Sequence, residues 1–308
     1  MMSKPKTLVE FRKVIENAID LVGDRFDSQS HDTEHLPSIL SRCEAMIAKY
    51  DARPLPPIGI IHHFACSGGT LISKCIATSP NTCLFSEIDP LGTHHFTKPQ
   101  RPFFPTDMLA DIHYSARSLP MQFKIDYFTA GLASLYQNLS AIGQHVVLRD
   151  HSHSHFCVGA TVPKRPTLTE LVQYVAQVRA VLTVRHPLES FASLRLNKWV
   201  HFTPNTLSAY CERYNIFLDT HAGVPLFKYE NFLFNPKDVL SEMLAVLGLK
   251  PATHFEQLAP VFRLSGDSGR GGETIAPRPR RQNLQDLLAK GESAEPYYLL
   301  CKRLKYEP

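Results

Sequence analysis

The sequence predicts an α/β protein, a three-layer fold with a central parallel sheet flanked by helices and preceded by a helical extension. Three observations point there. Short continuous apolar runs such as Ile58–Phe64 suit strands buried on both faces. They alternate with segments of helical periodicity rather than with hairpin turns. The first of these strands also runs through a Gly-Gly turn directly into a helix, an arrangement that serves anion binding.

The elements follow in order. Leu8, Phe11, Val14, Ile15, Ala18, Ile19 and Leu21 recur at helical spacing, and a second periodic segment runs from Leu36 to Tyr50. Arg53-Pro54-Leu55-Pro56-Pro57 ends it. Residues 1–55 are therefore expected to be an extension packed on the main domain, since so short a segment makes a poor core alone. Residues 56–308 form the α/β domain. Its strands are expected at Ile58–Phe64, His145–Leu148, Ala180–Val184 and Pro225–Lys228, with one more short strand ahead of Glu87. Helices are expected at Thr70–Ala77, Met121–Leu139, Leu168–Gln177, Leu207–Thr220 and Pro236–Leu247. Gly, Pro and Arg dominate from Arg263 to Arg281, which reads as an irregular loop.

Bulk properties narrow the function. A net charge of +4 permits an anionic ligand but lacks the concentrated basic stripe of a nucleic-acid binder. Seven cysteines without CxxC spacing indicate neither a disulfide framework nor a zinc cage, and suit a reducing compartment. The N-terminus lacks an apolar signal region, and no apolar run approaches the length of a membrane span, so a cytoplasmic protein is expected. The oligomeric state is not readable from the sequence.

Two motifs carry the chemistry. In Ala65-Cys66-Ser67-Gly68-Gly69-Thr70 the glycines allow close backbone approach, and the following helix presents N–H groups and a partial positive charge to an anion. A Walker A loop would need lysine where Gly69 stands, so a magnesium nucleotide triphosphate fits poorly. Arg185 then closes a core strand where open α/β sheets bind ligands, and Ser193 follows two helical turns later, so both can reach one phosphate. A tight turn that binds nothing, and an arginine that caps its own sheet, remain the structural alternatives.

In this order the residues resemble the PAPS-dependent sulfotransferases. Val184 to Ser193, with Arg185, Pro187 and Ser193, is similar to their 3′-phosphate segment, and Cys66–Leu71 to their 5′-phosphosulfate loop. Phe227-Lys228-Tyr229-Glu230-Asn231, Asn235-Pro236 and Leu247-Gly248-Leu249 resemble the Tyr-Glu strand and the helix after it. The resemblance implies a P-loop-like fold, PAPS as sulfuryl donor with PAP as product, and a small-molecule or glycan hydroxyl as acceptor. It also implies a nucleotide site of Cys66, Ser67, Gly68, Gly69, Thr70, Leu71, Arg185, Ser193 and Tyr229, closed by a basic glycine loop in which Arg270 is the best match.

The resemblance offers two general bases. Glu87 lies at the spacing of the glutamate base of tyrosylprotein and glycan sulfotransferases, and His151 at that of the histidine of the steroid and phenol enzymes. Glu87 is the tighter match. Arg149 is the expected sulfuryl-stabilising cation under either scheme. His151, His153 and His155 also alternate as ligands on one strand face would, but nothing supplies further ligands and no metal is expected. The family usually has Arg or Lys where Cys66 stands, and Lys74, His63 or Arg149 would have to supply that charge. Two other readings compete. One is a P-loop-like small-molecule kinase, for which Asp150 is the plausible magnesium ligand. The other is a catalytically weakened PAP- or PAPS-binding protein.

Overall fold

The computed structural model describes residues 12, 13, 15–17, 38–51, 54–96, 106–265, 275–277 and 295–308. The chain divides into two compact units, Met1–Pro54 and Leu55–Pro308. The first holds helix α1 (Ile39–Asp51), and within this unit Arg12 pairs with Glu16 at 2.9 Å and with Glu44 of α1 at 3.5 Å. These exposed pairs contribute little to stability.

The second unit opens with β1 (Ile58–His63), α2 (Gly69–Ala77), β2 (Thr82–Ile88), α3 (Met108–His113), α4 (Met121–Ala141) and β3 (His145–Asp150). It continues with α5 (Ser152–Phe156), β4 (Val158–Gly159), α6 (Leu168–Gln173), β5 (Val178–Val184), α7 (Pro187–Leu196), β6 (His201–Phe202) and α8 (Leu207–Thr220). Then come β7 (Leu226–Lys228), α9 (Tyr229–Phe234), α10 (Pro236–Leu247), α11 (Phe255–Leu258) and, after the glycine-arginine segment, α12 (Glu295–Leu304). Five strands form a parallel sheet in the order β2-β3-β1-β5-β7, and β4 pairs with β6 separately.

Burial follows from the pleat. Every residue of the central strand β1 is buried, and its side chains alternate between the two faces of the sheet. Ile58 and Ile60 pack with Leu132, Tyr136, Leu168 and Val172 from α4 and α6. Ile61 faces the other way, into Ile72 and Ile76 of α2 and Leu240, Met243 and Leu244 of α10. A third apolar cluster gathers Phe64, Phe191, Tyr210, Tyr214 and Phe217 with α12.

Local chemistry sets the boundaries. Thr167 and Glu170 close a reciprocal capping box on α6. The expected helix Leu168–Gln177 ends four residues early, because the Gln177 carbonyl must accept from Ile58 N as β5 enters the sheet. Gly248, at φ +74°, ends α10 in the left-handed conformation. The strand at 180–184 starts earlier, at Val178, in register with Ile58.

Candidate active site

The loop after β1 is shaped by the protein's own rings. Gly68 has φ +85°, and an added Cβ would stand 2.2 Å from the Tyr229 ring; a Cβ on Gly69 would stand 2.4 Å from the His63 ring. Only glycine fits either place. The first helical bond of α2 runs from Ile72 N to Gly68 O, which places the N–H groups of Gly69, Thr70 and Leu71 in the first turn of the helix, at its positive end. Ser67 is turned away from that turn: its hydroxyl donates to Thr183 O at 3.4 Å and its N–H to Phe64 O at 3.1 Å. The Leu71 side chain packs against the core cluster behind α2. Cys66, half-buried, takes φ +62°, a left-handed conformation unusual for a residue with a side chain.

Arg185 leaves β5 beside this loop. Its guanidinium donates to Cys66 O at 3.4 Å, to Ser193 Oγ at 3.4 Å and to Glu189 Oε2 at 3.3 Å, and lies 5.4 Å from the centre of the Tyr229 ring. Pro187 at the start of α7 presets the helix that carries Ser193 back to Arg185. The loop, Arg185, Ser193 and Tyr229 therefore meet in one place. Glu230 next door has a supporting role: its carboxylate accepts from His186 N at 3.0 Å and from Tyr306 OH at 2.6 Å, tying the chain's C-terminal segment to the first turn of α9 and the turn before α7. Arg270 lies outside the described residues.

The second half of the site sits across His63. Between the Phe85–Leu148 and Ile88–Asp150 pairs, β2 has two residues, Ser86 and Glu87, opposite the single Arg149 of β3. This is a β-bulge, and Glu87 takes φ +60° within it. The bulge re-aims both side chains at Arg149. The guanidinium meets Glu87 Oε1 at 2.9 Å and donates to Ser86 Oγ at 3.1 Å, to His63 Nε2 at 3.1 Å and to Ser265 O at 3.3 Å. His151 Nε2 lies 3.5 Å from the other Glu87 oxygen, so both candidate bases belong to one cluster.

Burial sets the charge states. It raises the Glu87 carboxyl above its ordinary value, opposed by the Arg149 charge and reinforced by Asp150. It holds His63 well below 6.5, helped by Arg149, so His63 is a neutral acceptor and not a cation. His151 is pushed down to about 4 and His153 to about 3, by burial first and then by neighbouring histidines.

Those neighbours form a histidine wall. His151, His153 and His155 do not lie on a strand face as the alternation suggested; the segment 152–156 is helix α5, because the chain turns away once β3 ends at Asp150. His95 stacks 5.3 Å from His151, His153 lies 5.4 Å from His201, and His201 4.1 Å from His94. Asp89, gripped by Arg165 at 2.6 and 2.7 Å and by the Ser154 hydroxyl, braces this wall. Sequence reading missed His201, Ser86, Ser265 and the Asp89–Arg165 pair. Only the fold brings together residues so far apart in the chain.

Asp150 is not placed to serve a metal nucleotide. Adjacent β3 residues face opposite sides of the sheet, and Asp150 meets His62 Nδ1 at 2.7 Å while Arg149 faces His63.

No family model and no curated protein matches the sequence. Among solved structures the chain is similar to the sulfotransferase domain from the curacin biosynthetic pathway, at TM-score 0.50 and 15% identity over 83% of this chain and 99% of that one. It also resembles the sulfotransferase domain of the olefin synthase from Synechococcus PCC 7002 (TM-score 0.45, 16% identity, 91% of this chain, 100% of that chain). A sulfotransferase from Alicyclobacillus acidocaldarius is similar as well (TM-score 0.41, 14% identity, 83% of this chain, 98% of that chain). The chain has the P-loop-like α/β fold of the sulfotransferases. No helix among the described residues is long and apolar enough to cross a membrane.

Proposed function

We propose that the chain is a PAPS-dependent sulfotransferase that acts on a hydroxyl of a small-molecule or glycan acceptor, with Glu87 as general base. One observation carries this reading. The His63 ring touches the Gly69 turn on one side and accepts from Arg149 on the other, so the anion cradle, the buried cation and Glu87 are one imidazole apart. In-line transfer of a charged group needs that adjacency.

The donor set suits PAPS, which would supply the sulfuryl group. The turn at Gly69–Leu71 suits its 5′ end, and Arg185 with Ser193 suits its 3′-phosphate through a charge-assisted pair. Arg270 is proposed to add a cation from the glycine-rich segment, which leaves the described chain at Ser265, already fastened to Arg149 and Ser86. Arg149 neutralises charge on the group in flight and replaces the cation that Cys66 does not provide. His63 is neutral, and Lys74 lies in the last turn of α2, away from its anion-facing end. Glu87 takes the acceptor proton. Its raised pKa makes it a better base near neutrality than His151, which is depressed to about 4. The kinase reading loses its metal carboxylate, because Asp150 lies on the face of the sheet opposite Arg149 and His63.

The test is PAP formation from PAPS in magnesium-free buffer, with a panel of phenols, sugars and simple alcohols. Acceptor-dependent PAP release that Glu87→Gln abolishes is the expected outcome. Phosphate transfer from magnesium ATP, with no PAP release, would overturn the proposal.

A further inference from the structure

We propose that His62, Asp150 and His221 form a buried site for a divalent transition-metal ion, with Zn2+ the best chemical match, on the face of the sheet away from α2. This inference does not depend on the sulfotransferase reading. The three residues come from the end of β1, the end of β3 and the residue that caps α8. Their donor atoms lie within 4.8 Å of one another, and all three residues are buried.

The hydrogen-bond pattern around them is that of ligands already oriented from behind. His221 Nδ1 lies 2.8 Å from Phe217 O; a carbonyl only accepts, so Nδ1 carries the proton and Nε2 is a bare lone pair. That Nε2 is fully buried and has no hydrogen-bond partner among the described residues. A buried acceptor left in this state is costly, and a metal ion satisfies it. His62 Nε2 meets Thr169 Oγ1 at 2.8 Å, and Ser152 Oγ donates to Asp150 Oδ2 at 2.7 Å. Each prospective ligand thus has an outer partner that fixes its orientation, as metal-binding histidines and carboxylates do.

Two imidazoles and one carboxylate form a donor set typical of zinc, whose bonds of about 2.0–2.2 Å put tetrahedral ligands about 3.3 Å apart. His62 Nδ1 and Asp150 Oδ2 stand at 2.7 Å, so metal entry needs this pair to part by about 0.6 Å and the widest pair, within 4.8 Å, to close by up to about 1.5 Å. The proton between them is not lost from the imidazole. It moves to His62 Nε2, where Thr169 Oγ1 accepts it, and Nδ1 becomes the ligand. The ion would pin the ends of β1 and β3 to α8. His63, Arg149 and His151 are the chain neighbours of these ligands, so it would stiffen the support on which they stand. The more exposed rings of His94, His95, His151, His153 and His201 are the rival binder, but among the described residues they bring no three donor atoms within the same distance.

The full chain, stripped with a chelator, is titrated first with Zn2+ and separately with Co2+. The expected result is one equivalent of tightly bound zinc and an intense visible Co2+ absorption of tetrahedral type. His221→Gln, checked for folding by circular dichroism, should lose both, while a His94→Ala, His201→Ala double variant keeps both. Absence of stoichiometric zinc, or zinc that follows His94 and His201 instead of His221, would overturn the proposal. If His221→Gln fails to fold, the Co2+ spectrum of the unaltered chain and the double variant decide the matter together.

Discussion

Arg149 and Arg185 both stand at the ends of parallel strands, yet they are held differently. The Arg149 side chain is 4% exposed and meets Glu87, His63 and Ser86 at 2.9, 3.1 and 3.1 Å. Arg185 is 22% exposed, and its contacts with Glu189, Cys66 and Ser193 are longer, at 3.3, 3.4 and 3.4 Å. Short, buried contacts fix a charge before any ligand arrives, which is what stabilising a transition state requires. Longer contacts at a partly open site leave a guanidinium ready to exchange its protein partners for a phosphate. The same residue type thus stands in a tightly held half and in a more open half. The loop between them divides in the same way: Gly69 packs on His63 beside Arg149, and Gly68 on Tyr229 beside Arg185.

The comparison breaks most sharply at Glu87. Glu87→Gln should lower kcat by ~10²–10⁴-fold with PAP affinity unchanged. Glu87 must be ionised to accept a proton, and burial raises its pKa above 4.5. Activity should therefore fall, on acidification, at a pH above the ordinary carboxylate range, and a pH–rate profile of the variant should lack that limb. A limb that survives in the variant would move the base to another residue.

The two glycines sharpen the division. Gly69→Ala pushes a methyl into His63 and so disturbs Arg149; kcat should drop on the order of 10²-fold, as for a displacement near 1 Å at a reacting centre, a larger effect than its loss of PAP affinity. Gly68→Ala meets Tyr229 and a positive φ, and should weaken PAP binding and destabilise the fold by about 1–3 kcal/mol in thermal melts. Equal effects of both substitutions on both readouts would erase the distinction. The smallest effect belongs to Glu189→Gln. Removing the carboxylate that competes for Arg185 should tighten PAP binding by up to about 1 kcal/mol, measured by calorimetry.

Much of this was legible in the sequence because it is local. The continuous apolar run of β1, the Gly-Gly turn and the spacing of Arg185 and Ser193 each encode their geometry within a few residues. The bulge at Ser86–Glu87 was not legible, since nothing in Phe85-Ser86-Glu87-Ile88 shows that two residues will oppose Arg149 alone. The alternating histidines misled in a physical way: their period of two is that of a strand, but the chain leaves the sheet at Asp150 and the segment closes into a helix. His94, His201 and His221 gained significance only when folding brought them beside residues distant in sequence.

The most direct test of the central claim is calorimetric titration of the purified chain with PAP in magnesium-free buffer, beside Arg185→Ala. The account predicts metal-independent binding that the substitution weakens by about 1.5–3 kcal/mol, the scale of a hydrogen bond to a charged group. Absence of PAP binding, or binding indifferent to Arg185, would contradict it.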